Sequence, residues 1–262
     1  MKRKALARLA AAVMGAVLLV PGAAQPAKAA DPNWDSYVDL GVDLLTSFLQ
    51  KSEGGFDAAE LLELNKQLKD ALLGVKADLL EHVDALEVAE IRSQVRFTVD
   101  NVRMLDLPST RGLYVVRVAE AAANAREKMT VFSSDGNRDT VARAMMTEYQ
   151  TLLIGQGRIG MAPAYDQYKE ALLHVIVTLQ PVCGEFVDPK LGTISYTCGF
   201  NGETVAGVER INVGGVREHS YDGGVTWSPG QMSRGFIETE VMEETAQDLA
   251  RQALFELIKA GH

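Results

Sequence analysis

From residue 34 to residue 180 apolar positions recur at three- and four-residue intervals, the mark of helices that bury one face. Trp34, Tyr37, Val38, Gly41, Val42, Leu45, Phe48 and Leu49 form the first stripe, and the SEGG run at 52–55 stops it. Asp57 and Glu60 then stand at the spacing of a helix-capping pair. Leu61, Leu68, Leu72, Val75, Leu79 and Leu86 follow a heptad-like seam that drifts to Val88, Ile91, Val95, Val99 and Val102. No proline interrupts 58–104, so the spacing predicts one long helix, about 70 Å if unbroken, with Gly74 its interior weak point. DLPSTRG at 106–112 ends it.

Further helices are expected at about 110–131, around the alanine-rich VAEAAANA, at 139–154, and from Tyr165 through Tyr168, Leu172, Val175, Ile176 and Leu179. SSDGNRD and GQGRIG read as the breaks between them. From Pro181 to Phe236 the period changes. TISYTCGF, VERINV and VTW have the β-branched and aromatic content of short strands, with FNGET and YDGG as turns. Residues 238–260 return to helix, with Val241, Ala246, Leu249, Ala253, Leu254, Leu257 and Ile258 on one face.

The expected fold is therefore mainly α: an antiparallel helical bundle with long helices and a small β-subdomain inserted before the C-terminal helix. The expected divisions are 30–180 for the bundle, 181–236 for the β-subdomain, and 237–262 for a C-terminal helix packing on the bundle.

The first 29 residues have another character. Lys2, Arg3, Lys4 and Arg8 precede the apolar run ALARLAAAVMGAVLLV, and Ala27-Lys28-Ala29 is a small-x-small cleavage signal. This reads as a secretory signal peptide cut between Ala29 and Ala30, giving a secreted, extracellular protein. The alternative is an uncleaved anchor, but Pro21 and Gly22 break a run too short to span a bilayer. Removing the leader takes five of the 26 basic residues and none of the 35 acidic ones, leaving a formal charge of −14. Such a surface repels phosphate backbones, so no nucleic-acid partner is expected.

The two cysteines, Cys183 and Cys198, both lie beyond the leader. An even count in an oxidising compartment predicts a disulfide clipping the β-subdomain, worth about 3 kcal/mol on the chain-entropy model. The alternative is a pair of buried free thiols. His219 is the one histidine near them in sequence, so no metal site is expected, and no cofactor.

The most specific stretch is SYDGGVTWSPG at 220–230. Ser220, Asp222, Gly224, Thr226 and Trp227 match the spacing S-x-D-x-G-x-T-W, with Gly223 supporting the turn. This resembles the Asp-box, a β-hairpin signature repeated in sialidases and found singly in other secreted proteins. The resemblance covers eight residues. It implies a fold device remote from any catalytic site: the carboxylate accepts bonds from the turn, glycine supplies positive φ, and the tryptophan packs the hairpin. Sialidase activity would need several such boxes on an all-β propeller.

Other motifs have plainer readings. Gly155-x-Gly157-x-x-Gly160 has dinucleotide-fingerprint spacing but follows a helix instead of a strand, and reads as a flexible connector. His82 and His174 sit on apolar helices, and His262 is the last residue. Glu238, Glu240, Glu243 and Glu244 precede a helix, where the dipole favours acids. His219, Ser220 and Asp222 are too close in one turn to converge as a triad. No catalytic residue is assigned. The expected function is a secreted, non-enzymatic binding protein whose partner is an extracellular protein or glycan, with Tyr196, Phe200, Tyr221 and Trp227 as candidate recognition residues. The alternative use of these aromatics is to fill a small core. Two other functional classes remain: a membrane-active, pore-forming-like helical protein, against which Asp35, Asp39 and Asp43 give the first helix an acidic face, and a secreted hydrolase, possibly glycan-directed.

Overall fold

The computed structural model describes residues 89–261, together with Glu63, Lys66, Gln67 and Asp70. The leader, the helix expected at 34–50, the Asp57 capping pair and the leucine seam of 61–86 lie outside the described residues. The described chain divides into two compact units, one from Gln180 to Glu243 and the other formed by the residues on either side of it.

The flanking unit is helical. It holds α1 (Ala89–Asp100), a 3-10 turn (Val102–Asp106), α2 (Arg111–Lys128), α3 (Asp135–Arg158), α4 (Tyr165–Thr178) and, after the other unit, α6 (Ala246–Lys259). Ile91, Val95 and Val99 are the buried stripe of α1. The Tyr114 hydroxyl of α2 donates to the Thr98 carbonyl at 2.6 Å, tying these helices together. At the start of α3 the Ser134 hydroxyl accepts from the Asn137 amide, a side-chain cap on an otherwise orphan donor. α3 packs against α1, α2, α4 and α6. From Val141 to Gln156 every residue of it except Arg143 is buried.

The intervening unit is a meander. Its strands β1 (Val182–Asp188), β2 (Thr193–Phe200), β3 (Glu203–Ile211), β4 (Arg217–Ser220) and β5 (Ser228–Pro229) form one antiparallel sheet in chain order, followed by α5 (Arg234–Val241). The turns follow local chemistry. Asn201 and Gly202 both have positive φ, at 49° and 79°, the backbone that a two-residue Asn-Gly hairpin needs to match strand twist. Asp188 closes the β1–β2 turn by accepting from the Lys190 and Leu191 amides. Cys183 and Cys198 face each other across β1 and β2 and are disulfide-bonded.

Several expectations are corrected. The described residues do not form a mainly α antiparallel bundle of long helices: they contain six α-helices of 8 to 24 residues and a five-stranded antiparallel sheet. The helix expected to continue to residue 104 ends at Asp100 and tightens into the 3-10 turn. The apolar seam marks which face is buried, and that face persists through Val102 although the α-helix does not. α3, covered on all sides, is a core helix and not a member of a single-seam bundle. It also runs through Gly155 and Gly157, where a break was expected. The single C-terminal helix is instead α5 and α6, divided where Glu244 takes a φ of 65°. β1 and β4 lie outside the stretches expected as strand, and VTW is bend and irregular chain, not strand.

Candidate functional site

Among the described residues the sheet of the Gln180–Glu243 unit is covered on one side, by α5, with Val187 and Ile211 exposed at the margins of that side. Side chains alternate across a strand, and the register then assigns every position to a face. On one face Cys198 and Phe200 are buried, and α5 packs over β2 and β3. Gly207 lies there beneath the Met232 side chain and 3.1 Å, from its would-be Cβ, below Ile237. Glu209, also buried, accepts from the Met232 amide at 2.9 Å and from Arg217 at 3.3 Å, so its charge is compensated.

The opposite face is open among the described residues, except at Ser220, which the Asp222 turn buries. Its cross-strand rows read Val182–Gly199–Thr204, Gly184–Thr197–Ala206, Phe186–Ser195–Val208–Ser220 and Asp188–Thr193–Arg210–Glu218–Pro229. The middle of this face is built from small and hydroxyl-bearing residues. Thr197, Thr204 and Ala206 are exposed and Ser195 is half-buried. Val182 is 79% exposed and Phe186 66% exposed on β1.

Trp227 rises at the far margin. The Arg210 guanidinium lies 3.7 Å from the centroid of its ring. Arg210 also gives two nitrogens to Glu218, each at 3.0 Å, and Asn212 donates to the other Glu218 oxygen at 2.8 Å. Hydrogen bonds from Asn212 and Arg210 hold the Glu218 carboxyl below its usual range. This fork neutralises the cation within these rows and fixes it as a planar shelf against the indole.

The turn before Trp227 is held by two side chains. Asp222 Oδ1 accepts the Ser220 hydroxyl at 2.6 Å, the Thr226 amide at 2.8 Å and the Val225 amide at 2.9 Å. Ser220 Oγ in turn accepts from the Gly224 amide at 2.9 Å. Gly223 and Gly224 take φ of 73° and 91°, where a Cβ would be strained. The Ser220 hydroxyl and the Thr226 and Val225 groups hold the Asp222 carboxyl far below the usual carboxylate range.

No protein-family model, curated protein or solved structure matches the chain. The geometry alone therefore bears on function. Of the four candidate recognition aromatics, Phe200 is 4% exposed on the covered face. Tyr196 is half-buried on that same face, and Tyr221 is half-buried against Phe236 of α5 and the His219 ring. Trp227 alone stands toward the open face. His219 and Ser220 alternate to opposite faces, and His219 Nδ1 faces the Gly230 carbonyl at 3.4 Å. The geometry thus brings Ser220 to Asp222 and leaves His219 apart from both. Among the described residues no group of three or more His, Cys, Asp or Glu is placed to hold a metal ion.

Phe186, Thr197 and Thr204 were not singled out from sequence. The signal for them was the alternation of TISYTCGF and its neighbours, but alternation does not say which face a helix will cover.

In the helical unit one group stands out. Glu148 of α3 is 1% exposed, and both carboxylate oxygens lack a hydrogen-bond partner. Burial pushes its carboxyl well above the usual range.

Proposed function

We propose that this is an exported, non-enzymatic binding protein and that the open face of its sheet is the recognition surface. The supporting observation is the sheet's one-sidedness: α5 covers one face, while Phe186, Thr197, Thr204 and Ala206 stand exposed on the other. An antiparallel sheet tolerates one solvated face, but a solvated face does not need large exposed apolar groups such as Phe186 and Val182 at its edge. The Cys183–Cys198 disulfide fits an extracellular fate, in keeping with the leader-like first 29 residues. No helix among the described residues is long and apolar enough to cross a membrane.

In this reading the Ser220–Trp227 turn is an Asp-box-like fold device. Its carboxylate is committed to the turn itself, and its purpose is to hold Trp227 beside Arg210. Retention of the purified protein on envelope material of the cells that produce it tests the proposal. Wild type is expected to sediment with that material, and the double variant Thr197→Glu/Thr204→Glu to stay in solution with an unchanged melting temperature. Equal retention of both proteins overturns it.

A further inference from the structure

The open face has three properties that together select an occupant. Its middle is flat: Gly184, Ser195, Thr197, Gly199, Thr204 and Ala206 put nothing longer than a threonine above the sheet. Its rim is aromatic: Phe186 is exposed on β1, and Trp227, half-buried with Arg210 over its ring, lies beyond β4. Its one cation is already paired, because Arg210 is forked onto Glu218, and the Asp188 carboxylate is turned to the amides of its own turn.

These properties disfavour a protein partner. With strands about 4.8 Å apart and residues about 3.4 Å along each, the patch measures on the order of 20 Å on a side, or about 400 Å². Two copies stacked on it would bury roughly 800 Å² in total, short of the ~1,200 Å² of stable pairs. The centre also lacks the large tryptophan, tyrosine or arginine anchors on which protein interfaces depend. A polyanion is disfavoured as well: the cation on these rows is already neutralised, and the full chain carries a net charge of −9.

Resting on the reading of this face as the recognition surface, we infer that its ligand is an uncharged polysaccharide strand, laid across the sheet between Phe186 and Trp227. A sugar ring has an apolar C–H face and a rim of hydroxyls. The C–H face packs on an aromatic ring, here the exposed Phe186, without needing a charge. The rim meets serine and threonine hydroxyls, each both donor and acceptor and therefore able to match any hydroxyl orientation. The distance from the Phe186 strand to the Ser220 strand is three strand spacings, roughly 14 Å, the reach of a short oligosaccharide. A flat ribbon lies on such a surface without a groove.

The test is calorimetric titration of the full chain with a cello-oligosaccharide, a chito-oligosaccharide and an oligogalacturonate as the charged counterpart. At least one uncharged oligosaccharide is expected to bind, and the oligogalacturonate to bind roughly tenfold more weakly or worse. Phe186→Ala and Thr197→Val/Thr204→Val are expected to weaken binding by roughly tenfold or more. Both alter exposed side chains, so their melting temperatures should match wild type, which separates lost binding from lost fold. No binding of either uncharged oligosaccharide, or binding that ignores both variants, overturns the inference. So does a dimer in light scattering that Phe186→Ala dissolves. If the oligosaccharides fail to release the protein from envelope material while Thr197→Glu/Thr204→Glu still abolishes retention, the glycan falls and the open face stands. If that variant is retained like wild type, the open-face reading itself falls.

Discussion

The guanidinium of Arg210 lies over the indole of Trp227, 3.7 Å from the ring centroid, while its nitrogens are held by Glu218. The stack joins β3 to the segment after the Asp222 turn, and it is half-buried. Trp227→Ala is expected to cost about 1–2 kcal/mol from lost cation–π attraction and apolar contact, less than for a fully buried tryptophan. Arg210→Lys keeps the charge but loses the planar fork, so it should destabilise by a smaller amount. Chemical denaturation of the three proteins checks the order. A larger loss for Arg210→Lys than for Trp227→Ala would contradict it.

Asp222 predicts a dependence on acid. Its carboxyl is held low by the Ser220 hydroxyl and the Thr226 and Val225 groups, so the folded state prefers the ionised form. A depressed folded pKa gives stability that is complete above the unfolded value, about 3.9, and is lost as pH falls below it. Asp222→Asn is therefore expected to melt below wild type at neutral pH by a gap that stays constant down to about pH 5 and narrows below about pH 4. Thermal melts from neutral to acid read this gap directly, and a gap that widens in acid would be the wrong sign.

Glu148 predicts the opposite slope. Its folded pKa is raised by burial, so its contribution is fully present below the unfolded value of about 4.3 and declines as pH rises toward the folded pKa. Glu148→Gln should flatten this decline, leaving a variant whose advantage over wild type grows from about pH 5 upward. Glu148→Met, similar in volume and without polar atoms to leave unpaired, should stabilise the fold by about 1–3 kcal/mol at neutral pH. Loss of stability in Glu148→Met would show that the carboxyl has a partner in the folded protein.

Gly155 predicts a substitution that helix propensity would get wrong. Alanine in mid-helix is ordinarily better than glycine by about 1 kcal/mol. Here a Cβ would stand 2.8 Å from Val115 Cγ2 of α2, a branched side chain with little freedom to turn away. Gly155→Ala is expected to destabilise by about 1–3 kcal/mol. Adding Val115→Ala should recover much of that loss, because the two changes share one contact. A double-mutant cycle by denaturation measures the coupling, and an additive result would place the cause elsewhere.

The linear chain alone carried the local rules. Three- and four-residue spacing marked Ile91, Val95 and Val99, and Tyr168, Leu172, Val175 and Leu179, as buried faces. Asn201-Gly202 announced a hairpin, and two cysteines in a β-rich stretch announced their bond. Tertiary structure decided what those rules leave open. Periodicity reports a face but not where a helix stops, so the end of α1 at Asp100 and the run of α3 through Gly155 had to come from neighbouring elements. Glycine is as compatible with a flexible break as with two helices in close contact, and only Val115 opposite Gly155 tells them apart. Alternation along β2 separates Phe200 from Ser195 but ranks neither. The packing of α5 on the Phe200 side buried that ring and left the face of Phe186, Thr197 and Thr204 to solvent, because which side of a sheet is covered depends on a partner distant in sequence.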